Sequence, residues 1–172
     1  MLFEHLVEEY SIDIDKERVN FVSNLIKGDF EKDYSERRWM FEIIANKKNS
    51  LDVDKFDYLQ RDSKSMGFPG TGFDVQRILD NSRVIDNQIC YHSKIYNVLQ
   101  NVFHTRYTLF REAYQHKVAQ AIDFMVVDAL VEANPHFKFM ENLENPVEYM
   151  KYTDSILSYI EYSDKSVFSK SQ

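Results

Sequence analysis

The run Asn49-Ser50-Leu51-Asp52-Val53-Asp54-Lys55-Phe56-Asp57-Tyr58-Leu59-Gln60-Arg61-Asp62 concentrates more chemistry than any other stretch of this chain. If it is helical, each residue turns the helix by about 100°, and Asp54, Lys55, Tyr58 and Asp62 fall within roughly 100° of arc. One face then carries a carboxylate, an ammonium, a phenol and a second carboxylate. Hard cations take carboxylate oxygens, and phosphates take fixed positive charge. Such a face has part of what a metal-assisted phosphate site needs. The plain reading is also open: Asp54 as a first-turn acid complementing the helix dipole, Tyr58 at a core edge, and Asp62 paired with Arg61 or Lys64.

The elements that would position this face follow from breakers and periodicity. Only four Gly and three Pro interrupt 172 residues, which favours a mainly helical fold. Residues 2–10 read as an amphipathic helix. Asp15 caps a second helix, with Phe21, Val22, Leu25 and Ile26 inward and Gly28 at its end. Ser35 is expected to cap a third, through Trp39, Met40, Ile43 and Ile44 to about Lys48. Asp52 or Val53 opens the helix of the motif, which stops near Gly67. Residues 68–72, Phe-Pro-Gly-Thr-Gly, are a loop. Asp74 to about Ser82 is a short helix. Residues 83–86 and 88–92 alternate around Asp86-Asn87 and predict a small β-hairpin. A long helical stretch follows from Ser93 to about Ala133, kinked once, with Val98, Leu99, Val102, Phe103, Leu109, Phe110, Val118, Ile122, Phe124, Met125 and Leu130 as its apolar positions. Asn134-Pro135 is expected to end it. A last helix spans about 147–162, before a polar Ser/Lys tail.

Bulk properties bound the function classes. Hydrophobic content of 44%, with 13 Phe and 11 Tyr, suffices for a core. A net charge of −7 gives no support to a general nucleic-acid surface, though it leaves room for a local basic pocket. The one cysteine, Cys90, cannot form an internal disulfide and, in a predicted strand, reads as a small buried residue. No apolar run approaches the ~20 residues of a membrane span. No His-x-x-x-His or His-Asp pair is present, and His104 and His116 are 12 residues apart, too far for one compact helix-borne chelate.

Asp-Val-Asp-Lys-Phe-Asp-Tyr at 52–58, followed by Arg61-Asp62, resembles the signature of the HD-domain deoxynucleoside triphosphate triphosphohydrolases, in the branch often fused to a sterile-alpha-motif domain. Three further blocks are similar to that family in order and approximate spacing: 44–47 (Ile-Ala-Asn-Lys), Phe103-His104-Thr105-Arg106 continuing to 111–118 (Arg-Glu-Ala-Tyr-Gln-His-Lys-Val), and 152–156 (Tyr-Thr-Asp-Ser-Ile). The resemblance spans essentially all of residues 1–172 and implies the C-terminal part of an all-α, HD-type domain. It implies that Asp54 is a ligand of a divalent metal ion, and that Lys55 and Arg106 meet the triphosphate. Tyr58, Asp62 and Tyr114 would shape the sugar pocket, and Gln115 would line it. Arg106 and Tyr114, eight residues apart, would lie about 80° from each other on one helix. Arg77, Lys94, His116 and Lys117 match allosteric nucleotide contacts. That second site departs from the pattern, with Asn81 for an aromatic residue, His92 for an arginine and Val98 for an asparagine.

The family's activity is hydrolysis of a deoxynucleoside triphosphate to deoxynucleoside and triphosphate, by water attacking the α-phosphorus at a metal. Its histidine ligands, His-Asp pair and catalytic histidine precede the segment resembling residues 1–10. No catalytic residue is therefore assigned here, and the chain by itself is expected to be inactive. Two other readings stand beside this one: a non-catalytic partner of a full-length homologue or of itself, and a helical interaction module that binds no nucleotide. A segment of a larger domain is also expected to expose apolar faces. The family resemblance implies an intracellular location, nuclear or cytoplasmic.

Overall fold

The computed structural model describes residues 2–30 and 32–163. The chain divides into two compact units, residues 13–116 and a second formed by residues up to 12 together with the chain from 117 onward. The architecture is mainly helical with one two-stranded antiparallel hairpin.

In the larger unit, α2 (Lys16–Lys27) starts where Asp15 accepts a hydrogen bond from the Arg18 amide and ends at Gly28. Gly28 has φ 69°, which favours glycine, and a Cβ there would also crowd the Ala45 Cβ at 3.1 Å and the Ala45 carbonyl oxygen at 3.2 Å. Phe21, Val22 and Leu25 are half-buried as expected, whereas Ile26 is exposed.

The third helix departs from expectation. Ser35 is not its cap; it lies inside a 3-10 turn (Lys32–Arg37), and α3 runs only from Arg38 to Ile44. The physical reason is aromatic packing. Tyr34 sits 4.8 Å from the Phe21 ring, and Phe21 and Phe30 pack edge-on to Phe41, which draws the chain into the tighter turn. Nor does the helix reach Lys48. Asn46 is buried and takes over the loop: its Oδ1 accepts from the Lys48 and Asn49 amides, and its Nδ2 donates to the Leu51 carbonyl.

α4 (Val53–Met66) carries the motif, with Asp52 as cap and Gly67 as the left-handed stop. Its buried residues Phe56 and Leu59 join Leu51, Ile78, Ile95, Val102 and Leu109 in the core. The 68–72 loop is tied down by hydrogen bonds from the Gly72 amide to Thr105 Oγ1 and from Ser63 Oγ to Thr71 Oγ1. After α5 (Val75–Leu79), capped by Asp74, come β1 (Ser82–Ile85) and β2 (Gln88–Tyr91), with Ile85 opposite Gln88. Asp86 and Asn87 both take positive φ, 48° and 59°, as a two-residue hairpin turn demands. Cys90, expected to be buried, is only half-buried, like the rest of β2.

A 3-10 turn (Ser93–Ile95) leads into α6 (Tyr96–Leu109), which buries Val102, Thr105 and Leu109 but leaves Phe103 exposed. The kink is a single π turn at Phe110–Tyr114.

In the second unit, α1 (Leu2–Glu9) and Tyr10 share an apolar groove with Val147 and Met150. α7 (Lys117–Phe137) passes through Pro135 instead of ending before it. Proline lacks a donor, but its fixed φ is helical, and the stop comes at Lys138 with φ 54°. The Lys138 amide bonds to the Asn134 carbonyl at 2.7 Å. Val118, Ile122, Phe124 and Met125 do not pack inward: all are exposed, Phe124 by 70%. After a short α8 (Phe139–Asn142), the last helix is two pieces, α9 (Pro146–Tyr149) and α10 (Ile156–Tyr162). Between them the Thr153 and Ser155 hydroxyls bond each other. The Ser/Lys tail lies outside the described residues.

Candidate functional site

Four of the residues that the motif singles out converge in the larger unit. Tyr114 donates from its hydroxyl to Asp62 Oδ2 at 2.5 Å. Its ring lies 6.5 Å from that of Tyr58, and Phe110 packs edge-on against it at 5.1 Å. The Arg106 guanidinium stacks over Phe110, 4.6 Å from the ring centroid. Tyr58 and Asp62 come from one face of α4. Tyr114 comes from the π turn, and Arg106 from the last turn of α6. The π turn makes this possible, since its wider winding re-aims the residues after Leu109. Gln115 ends it, donating its amide to the Phe110 carbonyl at 2.8 Å, and its side chain is exposed.

Electrostatics mark the same spot. Partial burial, then the hydrogen bond and charge of Asp62, push the Tyr114 phenol far above its usual range. Arg61 Nε sits 3.4 Å from Asp62 Oδ1, so the carboxylate keeps a cation beside it, as the plain reading of Asp62 anticipates.

Lys55 is placed differently. Its Nζ lies 3.0 Å from Asp52 Oδ2, with the lysine side chain 20% and the aspartate 5% exposed. Asp52 also accepts from the Lys55 amide and from the Asn46 amide. This buried carboxylate caps α4, pins the 45–52 loop and holds the lysine. Its larger role is invisible in the sequence beyond its position at the start of the helix. Asp54 is exposed in the first turn of α4. Among the described residues no three of His, Cys, Asp and Glu gather where a metal ion could be held, so the donor set around Asp54 does not by itself fit a divalent cation.

Arg77 and Lys94, both exposed, stand at the foot of the hairpin. Asn81, half-buried, donates from Nδ2 to the Arg77 carbonyl, and its own carbonyl accepts from the His92 amide at 2.9 Å. His92 Nδ1 accepts from the Lys94 amide. Asn81 and His92, the two departures from the family pattern, thus connect Arg77 to Lys94 through local hydrogen bonds. His116 ends the larger unit and Lys117 begins α7 of the other. Residues that sequence reasoning passed over are Asn46, Thr105 and Glu42. Thr105 had a signal: it falls in register with Val98, Val102 and Leu109, so a hydroxyl sits on the buried face of α6. No helix among the described residues is long and apolar enough to cross a membrane.

No family model matches the chain. It is 44% identical over 170 residues, 98% of its length, to the deoxynucleoside triphosphate triphosphohydrolase SAMHD1 homolog of Dictyostelium discoideum. Identity to the SAMHD1 deoxynucleoside triphosphate triphosphohydrolase of Homo sapiens is 33% over 197 residues, 95% of the chain. It is also 29% identical over 149 residues, 86% of the chain, to a putative HD domain-containing protein of Acanthamoeba polyphaga mimivirus. The alignments cover 32%, 31% and 31% of these relatives, so the chain spans about a third of the length of the curated proteins it matches. Along nearly its whole length, then, this chain is homologous to a segment of the HD-domain deoxynucleoside triphosphate triphosphohydrolases of the SAMHD1 branch.

Proposed function

We propose that this segment forms the sugar and phosphate wall of a deoxynucleoside triphosphate site in a triphosphohydrolase, and that alone it binds but does not hydrolyse nucleotide. The observation that carries this is the Tyr114–Asp62 hydrogen bond, with Tyr58 beside the Tyr114 ring and Arg106 linked to that ring through Phe110. A phenol and a carboxylate offer the donor and acceptor that a sugar hydroxyl needs. Arg106 grips phosphate oxygens through its fork, and Lys55 serves as a point charge only when a phosphate draws it from its pair with Asp52. Asp54 to Tyr58 spans four residues of α4, about 6 Å of axial rise, a separation suited to a sugar at one end and phosphate at the other. Gln115 lines the outer edge. Arg77, Lys94, His116 and Lys117 are proposed contacts for a second, regulatory nucleotide. Asp54 would contribute one ligand to a divalent metal ion whose remaining ligands come from outside the described residues. The test is incubation of the purified chain with dGTP and magnesium or manganese. No triphosphate release is expected, and release that Asp54→Ala abolishes would overturn the reading.

A second role is favoured by α7. Val118, Ile122, Phe124, Met125, Val127 and Val131 are all exposed on it, and apolar surface on that scale marks association. On this reading the segment assembles with another copy or with a full-length homologue. Mixing the two and measuring mass tests it; failure to co-elute would remove it.

A further inference from the structure

Phe110 stands between the two halves of the proposed nucleotide surface. It opens the π turn and is half-buried. The Arg106 guanidinium lies over its ring, 4.6 Å from the centroid, and the Tyr114 ring meets it edge-on at 5.1 Å and 86°. Positions 106, 110 and 114 are successive four-residue steps, the spacing at which helical side chains lie one above the next. The Phe110 carbonyl accepts from the Gln115 amide at 2.8 Å, which closes the π turn over the same residue.

The two neighbours of Phe110 differ in what else holds them. Tyr114 has a second anchor, its hydroxyl bond to Asp62. Arg106 is exposed on the last turn of α6. Arginines nearby are held by acids: Arg61 by Asp57 and Asp62, and Arg111 by Glu112. Arg106 shows no such ion pair among the described residues, and what orders its head is the Phe110 ring. The difference is chemical. A guanidinium paired with a carboxylate spends its N–H donors on that partner, whereas one set over a ring is attracted through its charge and keeps its donors for another acceptor. An arginine free in solvent would keep its donors too, but binding would then have to freeze a long side chain.

We propose that Phe110 is a positioning residue of the nucleotide site: its ring holds Arg106 in place with the donors unspent, and so raises affinity for phosphate without touching the ligand. This rests on the nucleotide reading above and adds to it the residue that prepares the phosphate grip. Pre-ordering one long side chain is worth roughly three- to ten-fold in affinity. Leucine keeps an apolar side chain at 110 but offers no ring face to a cation, whereas tyrosine keeps that face.

The dissociation constant of dGTP for the full chain, taken from its melting temperature over a concentration series, tests this. Phe110→Leu is expected to weaken binding roughly three- to ten-fold. Phe110→Tyr is expected to stay within about two-fold of wild type. In a chain that already carries Arg106→Ala, adding Phe110→Leu is expected to change dGTP affinity by about two-fold or less, because the residue it acts through is gone. A Phe110 that only supported the fold would weaken binding alike with and without Arg106. Should Phe110→Leu not fold, Phe110→Met, which also lacks a ring, takes its place in the same measurements. Undiminished affinity in the folded ringless variant, an equal loss in Phe110→Tyr, or an equal loss in both Arg106 backgrounds overturns the proposal and leaves the nucleotide reading standing, since wild type still binds. No dGTP binding by folded wild type overturns that reading and this proposal with it.

Discussion

The phenolic oxygen of Tyr114 lies 2.5 Å from Oδ2 of Asp62 and donates to it, joining the end of the π turn to the third turn of α4. Tyr114→Phe removes the donor and leaves a partly buried carboxylate with only Arg61 beside it. The expected loss is about 1–2 kcal/mol, measured by chemical denaturation. A double-mutant cycle with Asp62→Asn is expected to give a coupling of about 1 kcal/mol, and additivity would show the contact to be absent in solution.

The same pair sets a pH dependence. Burial and the Asp62 carboxylate hold the Tyr114 phenol well above its ordinary range, so the folded protein keeps a proton that the unfolded chain gives up. Its contribution to stability is fully present below pH 10 and declines as pH rises from there through the folded-state value. Melting curves of wild type and Tyr114→Phe are expected to differ most near neutrality and to converge as the solution becomes more alkaline. A gap that stays constant to pH 11 contradicts this.

Asp52 joins three groups, the Lys55 ammonium, the Lys55 amide and the Asn46 amide. Asp52→Ala removes the cap of α4 and strands a mostly buried lysine, at an expected cost of about 2–4 kcal/mol. Asp52→Asn keeps an acceptor for the amides and is expected to cost less than half as much. Equal losses would mean that charge, not capping, dominates.

Gly28 offers a purely steric prediction. Alanine there meets φ 69° and Cβ contacts of 3.1 Å and 3.2 Å to the Ala45 Cβ and carbonyl oxygen. The expected destabilisation is about 1–2 kcal/mol. A neutral substitution would show that this helix end rearranges freely.

Much of the larger unit was legible because its signals are local. Asp15, Gly28, Asp52 and Gly67 mark helix ends by chemistry that acts within one turn, and Asp86-Asn87 marks the hairpin. What the sequence hid was settled by distant partners. The turn at Tyr34 is drawn by Phe21, 13 positions earlier, and the end of α3 is taken by Asn46 through a buried side chain. The apolar positions of α7 were readable from its helical period, yet periodicity reports a stripe and not what covers it. Of the site, the shared α4 face was readable from spacing. The sequestering of Lys55 by Asp52 was not, because an i,i+3 pair can form or open with equal spacing.

Exposed apolar residues on α7 lead to a prediction about association. Wild-type chain at tens of micromolar is expected to exceed the monomer mass in light scattering. Phe124→Glu combined with Met125→Glu is expected to shift it toward monomer. A sharply melting wild-type monomer would contradict it.

Ligand-induced stabilisation tests the central claim most directly. Binding to the native state raises the melting temperature by mass action. With dGTP at millimolar concentration, wild-type chain is expected to melt several degrees higher than without it, and Arg106→Ala and Tyr114→Phe are each expected to lose most of that shift relative to their own ligand-free baselines. No shift in folded wild-type protein, or an undiminished shift in both variants, would contradict a nucleotide surface built on Asp62, Tyr114 and Arg106.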